Sequence, residues 1–237
     1  MKTLVIHPTH LKERGEHIDR MLSDIGLEYD IVNEGNDDLQ VKAYLKKYLK
    51  NGQEEMLRKV PRSLCTISHF LAYEIILSEG LEGALILEDD ILLHKDFKMQ
   101  FEQSIKEYER YYQNKNIIIS YEDSPLLFVP RSLREKGRML YSGYRDRLSG
   151  AYFINNCAAK AILDELQVNR CDRAIDLYHY QLIQEKVINY LWCHPSIATQ
   201  GTATGFFETS LSSNKKKLRK LSWFFQKKYK LLLYWFR

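Results

Sequence analysis

A chain of 237 residues with 45% hydrophobic and 28% charged side chains is long enough for one substantial core, and its composition excludes disordered and wholly membrane-embedded classes. The formal charge of +4 hides an asymmetry. Residues 214–237 carry nine Lys or Arg and no acid, and removing those nine from the 35 basic residues leaves 26 against 31 acids in residues 1–213.

Residues 3–7 are a short apolar run that predicts a first strand. Leu11, Ile18, Met21, Leu22 and Ile25 recur at helical spacing and stop at Gly26, predicting a helix. Leu27, Tyr29 and Ile31 alternate, so a strand is expected over 27–33. A second helix is predicted over 41–49, ending at Asn51-Gly52, and a third from a capping Ser63 through Leu64, Ile67, Leu71 and Ile75 to Gly80. The run Gly83-Ala84-Leu85-Ile86-Leu87 then reads as a buried central strand. A helix through Phe101, Ile105 and Tyr108 and a strand at 117–119 follow. Pro125, Pro130 and Gly137 break residues 122–147 into loops or short antiparallel strands over the sheet edge. Strands at 150–154 and 187–192, with helices at 158–166 and 175–186, complete the body. Strands alternating with helices predict an α/β fold with a mixed sheet.

The central strand ends in Glu88-Asp89-Asp90, and more apolar residues follow. Unpaired charge beside an apolar interior is costly, so three acids at a buried strand end call for a cation or a hydroxyl-rich ligand. The C-terminal ends of strands in open α/β sheets are also where ligand crevices lie.

Several segments together resemble glycosyltransferase family 25, the lipooligosaccharide-type galactosyltransferases, from residue 1 to about residue 210. They are Cys65-Thr66-Ile67-Ser68-His69, Leu85-Ile86-Leu87-Glu88-Asp89-Asp90, Gly150-Ala151-Tyr152-Phe153-Ile154 with Ala158-Ala159-Lys160, Ile175-Asp176, and Pro195-Ser196-Ile197-Ala198-Thr199-Gln200. The chain departs from the pattern at Ile6-His7-Pro8, where the family usually continues into Asn-Leu and closely spaced arginines, leaving Arg14 and Arg20 as candidate equivalents. Ile175 also stands where Val preceded by Pro is common.

The resemblance implies a GT-A-like fold, a UDP-sugar donor, Mn²⁺ (or Mg²⁺) as cofactor, and hexose transfer onto a lipooligosaccharide in a Gram-negative bacterium. Such transfer needs the departing diphosphate neutralised, and hard carboxylates hold the ion that does this. In an Asp-x-Asp-like motif alternate side chains face one way, which makes Asp90 the expected metal ligand, with Glu88 sharing the ion or contacting ribose. Asp89 orients its neighbours or contacts the sugar. His194, after the late strand, is the candidate third ligand, with a hydrogen-bonded surface histidine as the bland alternative. Asp176 is the candidate general base of an inverting reaction, although acids at 172 and 176 also simply suit a helix start. Arg14 is a candidate for the diphosphate, with an exposed arginine on a polar helix face as the alternative, and Gln200 with the Gly201–Gly205 loop for a lid over the donor, with a plain connecting loop as the alternative. Ser68 lacks a Gly-x-Ser-x-Gly elbow, so His69 reads as a structural or donor-pocket residue rather than a catalytic one.

Two domains are expected: a catalytic body over 1–213 and a basic amphipathic tail over 214–237. In the tail, Leu218, Leu221, Phe225, Tyr229, Leu232 and Phe236 follow three-four spacing, ringed by lysines from Lys215 to Lys230, with Trp223 and Trp235 near the ends. That pattern suits an anionic membrane surface, here the cytoplasmic face of the inner membrane beside a lipid-linked acceptor. A helix packed on the core is the alternative. Nucleic acid is not expected, because the acidic body opposes it. Cys65, Cys157, Cys171 and Cys193 form no Cys-x-x-Cys pair, arguing against a zinc module and for reduced thiols, and no signal-peptide pattern opens the chain. Galactose from UDP-galactose is the expected donor sugar, with UDP-glucose or a UDP-N-acetylhexosamine as alternatives within the class. From other classes, a Mg²⁺-dependent phosphohydrolase and a non-catalytic membrane scaffold remain.

Overall fold

The computed structural model describes residues 1–33, 35, 37–50, 61–207 and 216–236. Strands β1 (Lys2–Ile6), β2 (Asp30–Val32), β3 (Gly83–Glu88), β5 (Ile117–Ser120), β6 (Leu140–Ser142), β7 (Ala151–Asn155) and β8 (Asn189–Cys193) form one seven-stranded sheet in the order β2-β1-β3-β7-β5-β8-β6. β1 runs parallel to β2 and β3, β5 parallel to β8, and β7 and β6 run antiparallel to their neighbours. The sheet is mixed, as expected. The short strands β4 (Ile91–Leu93) and β9 (Ala198–Gln200) pair separately as a two-stranded ribbon.

Side-chain alternation sends the sheet into two cores. Leu4, Ile6, Ile86, Ile118 and Ile154 face α2 (Asp38–Tyr48), α3 (Pro61–Ser78), α5 (Asn156–Val168) and α6 (Ile175–Gln184). Val5, Leu85, Leu87, Ile119 and Phe153 face α1 (Lys12–Asp24) and α4 (Phe97–Tyr111). Each such Leu or Ile contributes about 1.5–3 kcal/mol by leaving water. With β3 third of seven strands and apolar on both faces, its C-terminal end is held rigidly.

Helix α3 starts at Pro61, so Ser63 lies inside its first turn rather than capping it; proline suits the first helical position because its missing N–H has no helical partner there. The Asn51-Gly52 stop predicted for α2 lies outside the described residues, as does the expected tail boundary at residues 213–215. Gly201–Gly205 is not an open loop: Gly201–Thr204 forms a single helical turn, α7, closed by Gly205 at φ 76°. Helix α8 (Lys216–Trp235) packs on the body through one face. Tyr234 meets Phe128, Trp223 Nε1 donates to the Ser124 carbonyl at 3.3 Å, and Lys227 pairs with Asp123 at 2.5 Å. Arg131 stacks over Trp235 at 3.9 Å.

Candidate active site

Beyond β3 the chain turns sharply, and Glu88, Asp89 and Asp90 all line a cavity of about 400 Å³. Arg14, Cys65, Asp176, Gln200 and Thr202 line it too. A larger hollow of about 910 Å³ between α2, α3 and α5 contains none of the three strand-end acids.

The three acids have different partners. Asp89, 4% exposed, is paired on both oxygens: His7 Nδ1 lies 2.9 Å from Oδ2, and Arg14 Nη1 donates to Oδ1 at 3.0 Å. His7 follows β1, and Arg14 comes from α1, where its guanidinium also lies over Phe207 at 5.6 Å. Both Asp89 oxygens are therefore engaged from β1's end and from α1. Glu88 is held from two sides: Gln200 Nε2 donates to Oε2 at 3.0 Å, while His69 Nε2 and Cys65 Sγ approach Oε1 at 3.3 and 3.5 Å. Asp90 accepts from Thr202 Oγ1 at 2.6 Å through Oδ2. Its Oδ1 is buried and has no hydrogen-bond partner among the described residues.

Burial, then repulsion from Asp89, lifts the Glu88 carboxyl to about 7, and burial with repulsion from Glu88 lifts Asp90 to about 6. A native fold that buries a partnerless carboxylate oxygen beside a second raised acid fits a hard divalent cation, which supplies the missing charge and ligand demand.

Two glycines let these pieces meet. A Cβ on Gly201 would lie 2.6 Å from the Phe207 ring and 2.8 Å from the Asp90 carbonyl, which accepts the Gly201 N–H at 2.7 Å. A Cβ on Gly150 would meet Gln200 Nε2 at 2.7 Å and Glu122 Oε1 at 2.8 Å.

Asp176 reaches the cavity from the first turn of α6, whose start is fixed by Ile175 N–H donating to Thr66 Oγ1 at 3.1 Å. Asp172 does not join it. Lys50 and Arg173 bind that carboxylate and hold it at about 2. His194 is also placed apart. It follows β8, which β7 and β5 separate from β3, and its ring packs against Tyr141. Burial and the guanidinium groups of Arg134 and Arg147 lower it to about 4, a neighbourhood poorly suited to another cation.

Several residues behind the site were not anticipated. Glu122, after β5, accepts the Gly150 and Ala151 N–H groups through Oε1 and the Ser124 hydroxyl through Oε2, while Ser124 Oγ accepts the Gln200 N–H at 2.8 Å. Burial pushes the Glu122 carboxyl well up. The signal was present, since Glu122-Asp123 ends an apolar strand just as the β3 acids do. Behind His69 runs a buried chain: Tyr152 OH at 2.7 Å from Nδ1, Tyr73 OH at 2.7 Å from Tyr152, His179 Nε2 at 2.8 Å from Tyr73, and Asp146 Oδ2 at 3.1 Å from His179 Nδ1.

Comparison with known proteins bears on this geometry. No curated protein matches the chain. It is similar to the crystal structure of A197 from STIV, at 14% identity over 81% of each chain with a TM-score of 0.37. It is also similar to that of a glycosyltransferase involved in the glycosylation of the major capsid of PBCV-1, at 10% identity over 93% of this chain and 98% of the other, with a TM-score of 0.41. Both likenesses are too loose to assign residues. Residues 1–178, by contrast, match the model of glycosyltransferase family 25 (LPS biosynthesis protein), a span that includes β1, β3, the acids at its end and the α6 turn bearing Asp176. With most of the chain and nearly all of the acidic cavity inside that span, the protein belongs to glycosyltransferase family 25 and is a glycosyltransferase of LPS biosynthesis.

Proposed function

We propose that the chain is an inverting, divalent-cation-dependent hexosyltransferase that moves galactose from UDP-galactose to a sugar of a lipooligosaccharide. The observation that carries this reading is the buried, partnerless Oδ1 of Asp90 beside Glu88 in a cavity that also presents Arg14 and Asp176. When bound, Mn²⁺ or Mg²⁺ neutralises charge on the departing diphosphate. Asp90 and Glu88 are the proposed ligands, without His194. Arg14, steadied by Asp89, offers phosphate its fork of donors. Gln200 fixes the rotamer of Glu88. Asp176 accepts the proton of the acceptor hydroxyl, on the face opposite the leaving group.

UDP release is the direct test. A panel of UDP-galactose, UDP-glucose and UDP-N-acetylhexosamines, each with and without Mn²⁺, should give Mn²⁺-dependent UDP release that is fastest with UDP-galactose. Orthophosphate release from a phosphoester without UDP release would replace the transferase reading with a phosphohydrolase. Silence in both would leave a scaffold.

The proposed site of action is the anionic cytoplasmic face of the inner membrane. Trp223, Lys227 and Tyr234 turn inward, while Leu221, Phe225, Tyr229 and Leu232 are exposed along the opposite stripe of α8, as is Phe236 just past its end. Lys228 and Lys230 are exposed with them. Basic side chains around an aromatic stripe complement a surface of anionic lipid, at about 1 kcal/mol per basic residue. No helix among the described residues is long and apolar enough to cross a membrane.

A further inference from the structure

Cys65 and His69 stand one helical turn apart on α3 and face the end of β3, where Glu88 meets both. Among the described residues, these three bring one thiol, one imidazole and one carboxylate within 4.8 Å of one another. The two spacings to Glu88 suit a specific coordination geometry. Zinc bonds of about 2.3 Å to sulfur, 2.0–2.1 Å to nitrogen and 2.0–2.2 Å to oxygen at tetrahedral angles separate ligand atoms by about 3.4–3.6 Å. The observed separations are 3.5 Å for Cys65 Sγ to Glu88 Oε1 and 3.3 Å for His69 Nε2 to the same oxygen.

The far side of His69 supports the same geometry. If Nδ1–H donates to Tyr152, then Tyr152 donates to Tyr73, Tyr73 to His179 Nε2, and His179 Nδ1–H to the Asp146 carboxylate. That assignment satisfies every link and ends on an acceptor-only group. It fixes the ring and leaves the Nε2 lone pair facing Glu88, with the Cys65 sulfur within 4.8 Å, the arrangement that outer-sphere partners impose on metal-binding histidines. Cys65 and Glu88 line the cavity, so a fourth position opens toward it.

We propose that Cys65, His69 and Glu88 bind a zinc-type, thiophilic divalent cation with its fourth position open to the donor cavity. This ligand set differs from the oxygen-only set of Asp90 and Glu88, and it stands whichever sugar nucleotide the cavity takes. Binding exchanges the Cys65 thiol proton, released to solvent, for a sulfur–metal bond. Because Glu88 belongs to both sets, zinc and the donor's hard cation compete for it, and zinc inhibits Mn²⁺-supported turnover.

Cobalt is the probe, because thiolate-bound Co²⁺ absorbs in the near ultraviolet. The untagged, metal-stripped, reduced full chain should bind one equivalent of Co²⁺ with a thiolate charge-transfer band and tetrahedral ligand-field bands, and stoichiometric Zn²⁺ should bleach both. Mn²⁺ should give no such band, since it prefers oxygen ligands. Cys65→Ser should abolish the band and weaken binding by about 100-fold or more, whereas Cys157→Ser, at an exposed cysteine, should retain it. No charge-transfer band in the wild-type chain, or an unchanged band in Cys65→Ser, would overturn the site and reduce the trio to a hydrogen-bonded cluster. Should Cys65→Ser fail to fold, X-ray absorption of the zinc-loaded wild-type chain decides. One sulfur among nitrogen and oxygen neighbours supports the site, and an all-nitrogen-and-oxygen shell refutes it. Neither result depends on transferase activity.

Discussion

At the scale of single residues, adjacent acids take different roles because their partners differ. Asp89 is paired with His7 and Arg14, whereas Asp90 keeps one buried oxygen with no hydrogen-bond partner among the described residues. Asp90→Asn should therefore cost cation-dependent UDP release about 100-fold or more, since removing a ligand forfeits several kcal/mol of charge stabilisation, while far-ultraviolet dichroism stays unchanged. The same substitution has a pH signature. The folded Asp90 carboxyl titrates at about 6 against an ordinary 3.8, so between those values the folded chain holds a proton that the unfolded chain has released. Stability contributed by this group thus falls as pH rises through that window and stays low above it. In metal-free buffer the melting temperature of Asp90→Asn should gain on the wild type from below pH 3.8 up to about pH 6 and then level off. Histidine titrations in that range act on both proteins and cancel in the difference. Added Mn²⁺ should narrow the gap by stabilising only the wild type. A pH-independent difference would show that the folded Asp90 carboxyl is not raised, and a gap that Mn²⁺ leaves unchanged would remove Asp90 from the ligand set. Asp176→Asn should lower kcat by about 10²–10⁴ with little change in donor KM. Asp172→Asn, which breaks only a surface ion-pair network, should leave kcat intact.

At the scale of elements, most helices and strands of the body are legible because each carries its own periodicity and stop signal, such as Gly26 after α1 and Gly80 after α3, both at positive φ. The acidic strand end is legible for the same local reason. What escapes is whatever depends on pairing across the chain. β9 is three residues long and acquires its identity by pairing with β4 on one side and bridging to Glu122 on the other, and the turn after it acquires its own from Asp90. Arg14 and Asp89 lie 75 residues apart and His69 and Glu88 lie 19 apart, so no local pattern announces either contact. His194 illustrates the opposite error. A strand-end histidine is easy to see, but strand order decides whether it reaches the site, and β7 and β5 intervene. The Gly201–Thr204 turn yields a prediction of its own. Gly201→Ala drives a Cβ into the Phe207 ring and the Asp90 carbonyl, so the turn must shift and take Thr202 with it. A loss of about 1–3 kcal/mol in unfolding free energy from overpacking is expected, together with reduced turnover. Wild-type stability and turnover in Gly201→Ala would show that the turn does not hold Asp90.

For the whole molecule, the tail helix packs one face on the body and leaves the other exposed. The inward face covers Leu126 and Phe128, so deleting the tail would uncover apolar body surface and confound membrane binding with stability. Substitutions on the outward face separate the two. Phe225→Glu with Leu232→Glu places acids at two positions more than half exposed while leaving Trp223, Lys227 and Tyr234 untouched. Each change removes an apolar contact with the interface and adds charge that anionic lipid repels. The double variant should lose flotation with phosphatidylglycerol-containing vesicles, keep its melting temperature within a few degrees, and turn over a soluble acceptor at the wild-type rate. Turnover of a vesicle-embedded acceptor should fall, because the role proposed for the helix is to hold the cavity beside a lipid-linked substrate. Undiminished flotation would show that the outward stripe serves a different surface. Binding that survived 1 M salt would show that the lysines contribute little, since screening at that ionic strength reaches about 3 Å.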